Sequence, residues 1–181
     1  MNTGLYVDSN NNANEVPLQA DLGGAAKVAA PRTISVPVTP TITAGAYADG
    51  QCVGGIITLT NFARSGVGSG LIQMVEAMFT TAVTPTLDFI FFDADPSAGS
   101  TITDNVAFSL AAAHTGKVIG TAQINNWTSL GTPRQGQSVG PALPFAPLPG
   151  GSTTAYLVIV TRSAFTPAAS GLTIKAKVLP D

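Results

Sequence analysis

Short segments in which apolar and polar residues alternate, separated by turns rich in Gly and Pro, recur from Arg32 to the C-terminus. This period of two is typical of strands that bury one face. Seven or eight strands at this spacing predict an all-β fold, a jelly-roll-like β-sandwich. No alternation of strands with helical patterns is present, which argues against a parallel sheet.

Two regions differ in pattern, and we divide the chain accordingly. Residues 33–181 carry the strand pattern and are predicted to form the β-sandwich body. Residues 1–32 are polar and weakly patterned, and we predict an extended N-terminal arm. A disordered tail is the alternative. If the arm becomes ordered on a neighbouring molecule, its apolar anchors are Leu5, Tyr6, Val7, Val16 and Leu18.

Several strand details follow from single residues. Pro37 lacks a backbone donor, so the segment from Thr33 to Thr39 is predicted to be an edge strand. The Gly54-Gly55 pair predicts a bulge in the strand from Gln51 to Asn61. The apolar run at residues 155–162 predicts a central strand, and the last strand is expected to turn Lys175 and Lys177 outward.

The segment from Thr86 to Ala113 is predicted to combine a strand, a turn and one short helix. Leu87–Phe92 is the strand, and Thr103 or Asp104 is the expected N-cap of a helix that ends near Thr115-Gly116. Residues 129–151 contain five Pro residues and are predicted to be a long irregular loop. Phe145 and Leu148 in this loop are candidates for contact with a partner.

Composition limits the classes of partner. Charged residues make up 10% of the chain, against about 25% in an average domain. A net charge of -2 offers no basic surface, so nucleic-acid binding is not expected. No apolar run reaches the ~18 residues of a membrane span, and the N-terminus lacks the pattern of a secretory signal. The single Cys, Cys52, excludes an internal disulfide and is predicted to be buried.

Residues suited to catalysis are scarce. The chain has one His, His114, and no GxSxG sequence, so we predict a protein that is not an enzyme and needs no cofactor. A position at the C-terminal end of a helix would explain His114. Asp93, Asp95 and Asp104 could collect a hard cation such as Ca²⁺, but turn formation and helix capping explain the same residues. We therefore predict no metal site.

The lone Trp, Trp127, allows a second hypothesis. An exposed indole is a common platform for a sugar ring, which would make the protein a carbohydrate-binding β-sandwich, such as a virion adhesin. A Trp at the end of a strand is also commonly half-buried in a core or an interface.

Four segments together resemble small structural proteins of tailed bacteriophages, the head decoration or cement proteins. They are FDADPSAGSTITDNVAFSLAAA (92–113), KVIG (117–120), AYLVIVTR (155–162) and LTIKAKVL (172–179). The similarity covers the body, and the arm lies outside it.

The resemblance implies a location on the outer surface of the virion capsid, after synthesis in the host cytoplasm. It implies the major capsid protein as a partner and self-association as a homotrimer that bridges capsid subunits. A tail or neck structural subunit is a further alternative.

Overall fold

A computed structural model describes residues 33–64 and 69–180. The predicted arm, with Leu5, Tyr6, Val7, Val16 and Leu18, lies outside the described residues. Nine strands and two short 3₁₀ helices follow one another in the described part of the chain. The strands are β1 (Ile34–Val38), β2 (Cys52–Leu59), β3 (Gly70–Phe79), β4 (Leu87–Phe92), β5 (Val118–Ile124), β6 (Trp127–Ser129), β7 (Arg134–Phe145), β8 (Ala155–Thr161) and β9 (Leu172–Pro180), and the 3₁₀ helices are Ala112–Lys117 and Pro149–Gly151.

The strands form two antiparallel sheets. One has the order β1-β9-β3-β7-β6 and the other has the order β2-β8-β4-β5. If the short β6 is set aside, the first strand, β1, pairs with the last, β9, in one sheet. The second strand, β2, pairs with the second-last, β8, in the other sheet. This pairing results when one long antiparallel hairpin is rolled up. That is the connectivity of a jelly roll. The predicted jelly-roll-like β-sandwich is confirmed.

The main core fills the space between the sheets. Alternate residues of each strand supply it, among them Phe89 and Phe91 on β4 and Leu157 and Ile159 on β8. On β9, Leu172, Ile174, Ala176 and Val178 are buried. Burial of this apolar area is the largest stabilising term for a sandwich of this kind.

A second, smaller core lies on the outer side of the four-stranded sheet. Phe92, Val158 and Val160 are fully buried there, and the segment between β4 and β5 covers them. Because β8 is covered on both sides, its sequence is apolar at nearly every position. Strand β8 lies between β2 and β4, so the prediction of a central strand at residues 155–162 is confirmed.

The predicted helix after Asp104 is wrong. The described residues contain no α-helix, and residues 103–111 form turns and isolated bridges, with Gln51 paired to Ala107 and Thr101 to Ser109. Asn105 has a φ of 58°, which a right-handed helix does not allow. Apolar residues of this segment instead pack against the sheet, namely Ile102, Phe108 and Leu110. Thr115 and Gly116, predicted to end the helix, lie inside the 3₁₀ helix Ala112–Lys117.

The predicted irregular loop at residues 129–151 is also wrong over most of its length, since β7 occupies Arg134–Phe145. Strand β6 pairs with β7 only through residues 134–136, so no described residue pairs with the rest of this edge of β7. Pro is tolerated at such an edge because its missing donor faces no neighbouring strand. Pro141 and Pro144 are therefore compatible with a strand that pairs on its other side with β3.

Candidate functional site

His114 is held in the interior. Its Nε2 lies 2.6 Å from the carbonyl oxygen of Ala98, and because a carbonyl only accepts, Nε2 carries the hydrogen. The residue is 7% exposed, and its Nδ1 has no hydrogen-bond partner among the described residues. In the part of the chain that the structure describes, no hydroxyl or thiol is hydrogen-bonded to this ring, a pairing that activates a nucleophile for catalysis. A structural role explains His114, although its element is a 3₁₀ helix and not the predicted α-helix.

Asp93, Asp95 and Asp104, the residues considered for a cation, do not form one group. The Asp95 carboxylate accepts a hydrogen bond from the Ser97 amide at 2.8 Å, and mainly for this reason the pKa of Asp95 is lowered. Asp93 and Asp104 do not form a cation-binding group with Asp95. In the described ranges, no group of three or more His, Cys, Asp or Glu side chains comes close enough to hold a metal ion.

Asp104 joins three parts of the sandwich. Its Oδ1 accepts from the hydroxyl of Tyr47 at 2.7 Å and from the amide of Gly54 at 2.6 Å. Its Oδ2 accepts from the amide of Thr43 at 3.0 Å. Gly54 has a φ of 82° and lies in the predicted bulge, which the shift of the β2–β8 register between Cys52 and Ile56 confirms. The carboxylate therefore holds together the segment between β4 and β5, the bulge in β2 and the turn at residues 43–47.

The Tyr47 hydroxyl and the Cys52 thiol, both near Asp104, make the free energy of unfolding depend on pH in the alkaline range. Burial raises the pKa of Tyr47 from 10.0 to about 12 and that of Cys52 from 9.0 to about 11. The folded state thus holds both protons more tightly than the unfolded state, so this stability is complete below about pH 9 and is lost as pH rises through 11 and 12.

We expect the free energy of unfolding, measured with urea under reducing conditions, to fall steadily between pH 9 and 12. Tyr47→Phe should flatten the upper part of that fall, since the residue that titrates there is gone. A wild-type protein equally stable at pH 8.5 and pH 12 would contradict the role of these buried protons.

Trp127 is a packing residue in this structure. Its indole N–H donates to the carbonyl of Pro85 at 2.7 Å, and its ring centre lies 5.3 Å from that of Phe79. Gly136, its partner across β6 and β7, leaves room for the indole, because a Cβ there would be 2.9 Å from the ring. The indole is half-buried, and this packing accounts for it without a glycan. The glycan hypothesis stays a prediction that the geometry does not favour.

Phe145 and Leu148 lie in the core. They are 6% and 2% exposed, and the Phe145 ring is 5.1 Å from that of Phe62. Side chains with so little exposed area have almost none to offer a partner, so we do not assign the predicted contact to them.

The outer face of the five-stranded sheet is the surface that sequence reasoning missed. Only three ionisable side chains of its described strands point to this face, Glu76, Lys175 and Lys177, and Lys177 Nζ donates to Glu76 at 2.8 Å. Gln135 and Gln137 of β7 point to the same face, opposite Met78 and Glu76. The partly or fully exposed apolar residues of this face include Pro37, Leu71, Met74, Met78, Ala142, Pro144 and Leu179.

A signal for this face was present in β3. On β3 the buried residues Ile72, Val75 and Ala77 are separated or followed by outward-facing positions, which are expected to be polar. Met74 and Met78 occupy two of these outward positions. Apolar residues on the outward side of a strand indicate a surface that another molecule covers.

Comparison of the chain with protein-family models and with curated proteins finds no match. In the described part of the chain, no helix has the length and apolar character needed to cross a membrane.

Proposed function

We propose that this protein is a non-enzymatic structural protein of a virion, which binds the outside of an assembled icosahedral capsid and stabilises it. It acts as a decoration or cement protein, as a trimer that bridges subunits of the major capsid protein. The proposal places it on the outer surface of the virion.

One observation carries the proposal, the unequal covering of the two sheets. The outer side of the four-stranded sheet is covered by the segment between β4 and β5, which packs Phe108 and Leu110 onto it. Among the described residues, no such segment covers the five-stranded sheet, whose outer face is broad and carries few charges. Interfaces between proteins are depleted of charge at their centres because a buried charge is costly to desolvate.

A capsid lattice is a suitable partner for such a face. A protein that binds the assembled shell better than separate subunits stabilises the shell by mass action. A trimer presents the same face three times, so weak contacts act together through avidity. The jelly roll occurs in viral capsid proteins and in lectins, which is compatible with this role but does not establish it. The resemblance of residues 92–113 to decoration proteins of tailed bacteriophages supports the same assignment.

Met78→Glu tests the face directly. Met78 is 38% exposed on β3, the middle strand of this sheet, so the variant should fold, but a carboxylate there has to be desolvated when the face is covered. We expect affinity for shells that lack the protein to fall at least about tenfold, the equivalent of about 1.4 kcal/mol, as measured by co-sedimentation.

Val118→Glu is the matched control, since Val118 is a strand residue of the other sheet with 37% exposure. It should bind shells like the wild type. Equal losses in both variants, or no loss in Met78→Glu, would mean that this face does not contact the shell.

A further inference from the structure

An apolar depression of about 410 Å³ lies at one end of the outer face. Between the pairs Ile72–Leu143 and Met74–Val139, only Gln73 on β3 faces residues 140–142 on β7, so β7 bulges there. Gly140 and Ala142 take positive φ values of 69° and 45° to make the bulge. The depression is lined by Leu71, Gln73, Met74, Gly140, Ala142 and Lys177. Its volume is within the range of about 300–1,000 Å³ usual for binding sites.

The charges at the depression are unequal. Lys177 is paired with Glu76, and Lys175 lies directly opposite Glu76 in the β3–β9 register. Glu76, Lys175 and Lys177 thus carry one net positive charge on this part of the face. A complementary occupant brings apolar side chains for the depression and one carboxylate for the remaining positive charge.

The chain itself contains such a segment outside the described residues, Glu15-Val16-Pro17-Leu18. Val16 and Leu18 are two positions apart, so in an extended peptide both point to the same side. Pro17 has no backbone donor that would be left unpaired on docking. From Leu18 to Thr33 there are 15 peptide units, which reach at most about 50 Å. That exceeds the roughly 40 Å diameter of a body of this size.

We propose that the depression binds the Glu15–Leu18 segment of a second copy of this chain, with Val16 and Leu18 in the depression and Glu15 beside Lys175. Exchange of arms in this way is a head-to-tail contact, which closes into a ring if the rotation between copies permits. The trimer of the proposed function is one such ring, but the docking does not depend on binding to a shell.

Three full-length variants distinguish the arm that docks from the depression that receives it, which we call the donor and the acceptor. Val16→Asp combined with Leu18→Asp spoils the arm and leaves the depression intact. Ala142→Asp spoils the depression, because it puts a carboxylate into the lining that Val16 and Leu18 contact, and Asp tolerates a positive φ. Leu71→Glu is a second acceptor variant, at a half-exposed position. Thermal unfolding of each variant like that of the wild type establishes that the fold is intact.

Sedimentation of the free protein over a range of concentrations gives the result. We expect the wild type to self-associate and each variant alone to associate at least about tenfold more weakly. A mixture of donor and acceptor variants should form 1:1 pairs at concentrations where each alone is monomeric. A wild type that is monomeric at every concentration, donor variants that associate normally, or a mixture that forms no pairs would overturn the proposal. Docking within one copy would give the first of these results.

Discussion

Asp104→Ala is expected to lower the free energy of unfolding by about 2–4 kcal/mol. The Gly54 amide loses its acceptor, and Thr43 and Tyr47 lose the carboxylate and keep only the longer hydrogen bonds between themselves. A buried donor that loses a charged acceptor costs about 1–3 kcal/mol. The segment between β4 and β5, which covers Phe92 and Val158, should loosen as well, because the hydrogen bonds of Asp104 help to hold it in place. Urea unfolding followed by the fluorescence of Trp127, the only Trp, measures the change.

Two companion variants make this measurement specific. Asp104→Asn keeps one oxygen acceptor and the size of the side chain, so its loss should be smaller than that of Asp104→Ala. Asp49→Ala removes an exposed carboxylate at a turn, and its effect should stay within about 0.5 kcal/mol. A loss below about 1 kcal/mol for Asp104→Ala would mean that the carboxylate does not join these segments.

Deletion of residues 1–30 is expected to abolish stable binding to shells and to leave the body folded. Among the described residues, the two hydrophobic cores are formed by residues from Val36 to Val178, and the deletion leaves all of these in place. The predicted arm carries the apolar anchors that we expect to contact the capsid or a neighbouring copy. Co-sedimentation with shells measures the loss, and an unchanged thermal unfolding temperature establishes that the body is intact.

A finer variant separates the contact from simple chain length. Leu5→Ser, Tyr6→Ser and Val7→Ser in one protein keep the arm and remove three of its anchors. Binding by the deletion variant that equals the wild type would rule out the arm as a contact, whatever this triple variant does.

Strands could be predicted from the sequence where burial of one face makes apolar and polar residues alternate. The edge strand with Pro37, the bulge at Gly54-Gly55 and the outward lysines of β9 all follow from local chemistry, and all are confirmed. At such positions the preference of the residue and its place in the fold agree.

The helix was wrongly predicted and β7 was missed because contacts distant in sequence decide both segments. Asp104 resembles a helix N-cap, but its carboxylate accepts from Thr43, Tyr47 and Gly54, far away along the chain. Pro141 and Pro144 suggest a loop, yet they are harmless on a strand whose second edge pairs with no described residue at these positions.

The candidate face was missed for a related reason. Met74 and Met78 become informative only once the register shows that they share one surface with Leu71 and Leu179. A sequence gives the alternation within one strand but not which strands lie side by side. The same limit applies to Phe145, since an apolar residue between Pro residues suits a contact loop as well as the core in which it lies.

The most direct test of the proposed function is titration of the purified protein onto mature, DNA-filled shells that lack it, with separated capsid subunits in parallel. Binding to assembled shells should saturate at a copy number related to the icosahedral symmetry and should raise the temperature at which the shells release DNA. Separated subunits should bind much more weakly, because stabilisation by mass action requires a preference for the lattice. No binding of the folded protein to shells, or equal binding to shells and separated subunits, would contradict a cement role.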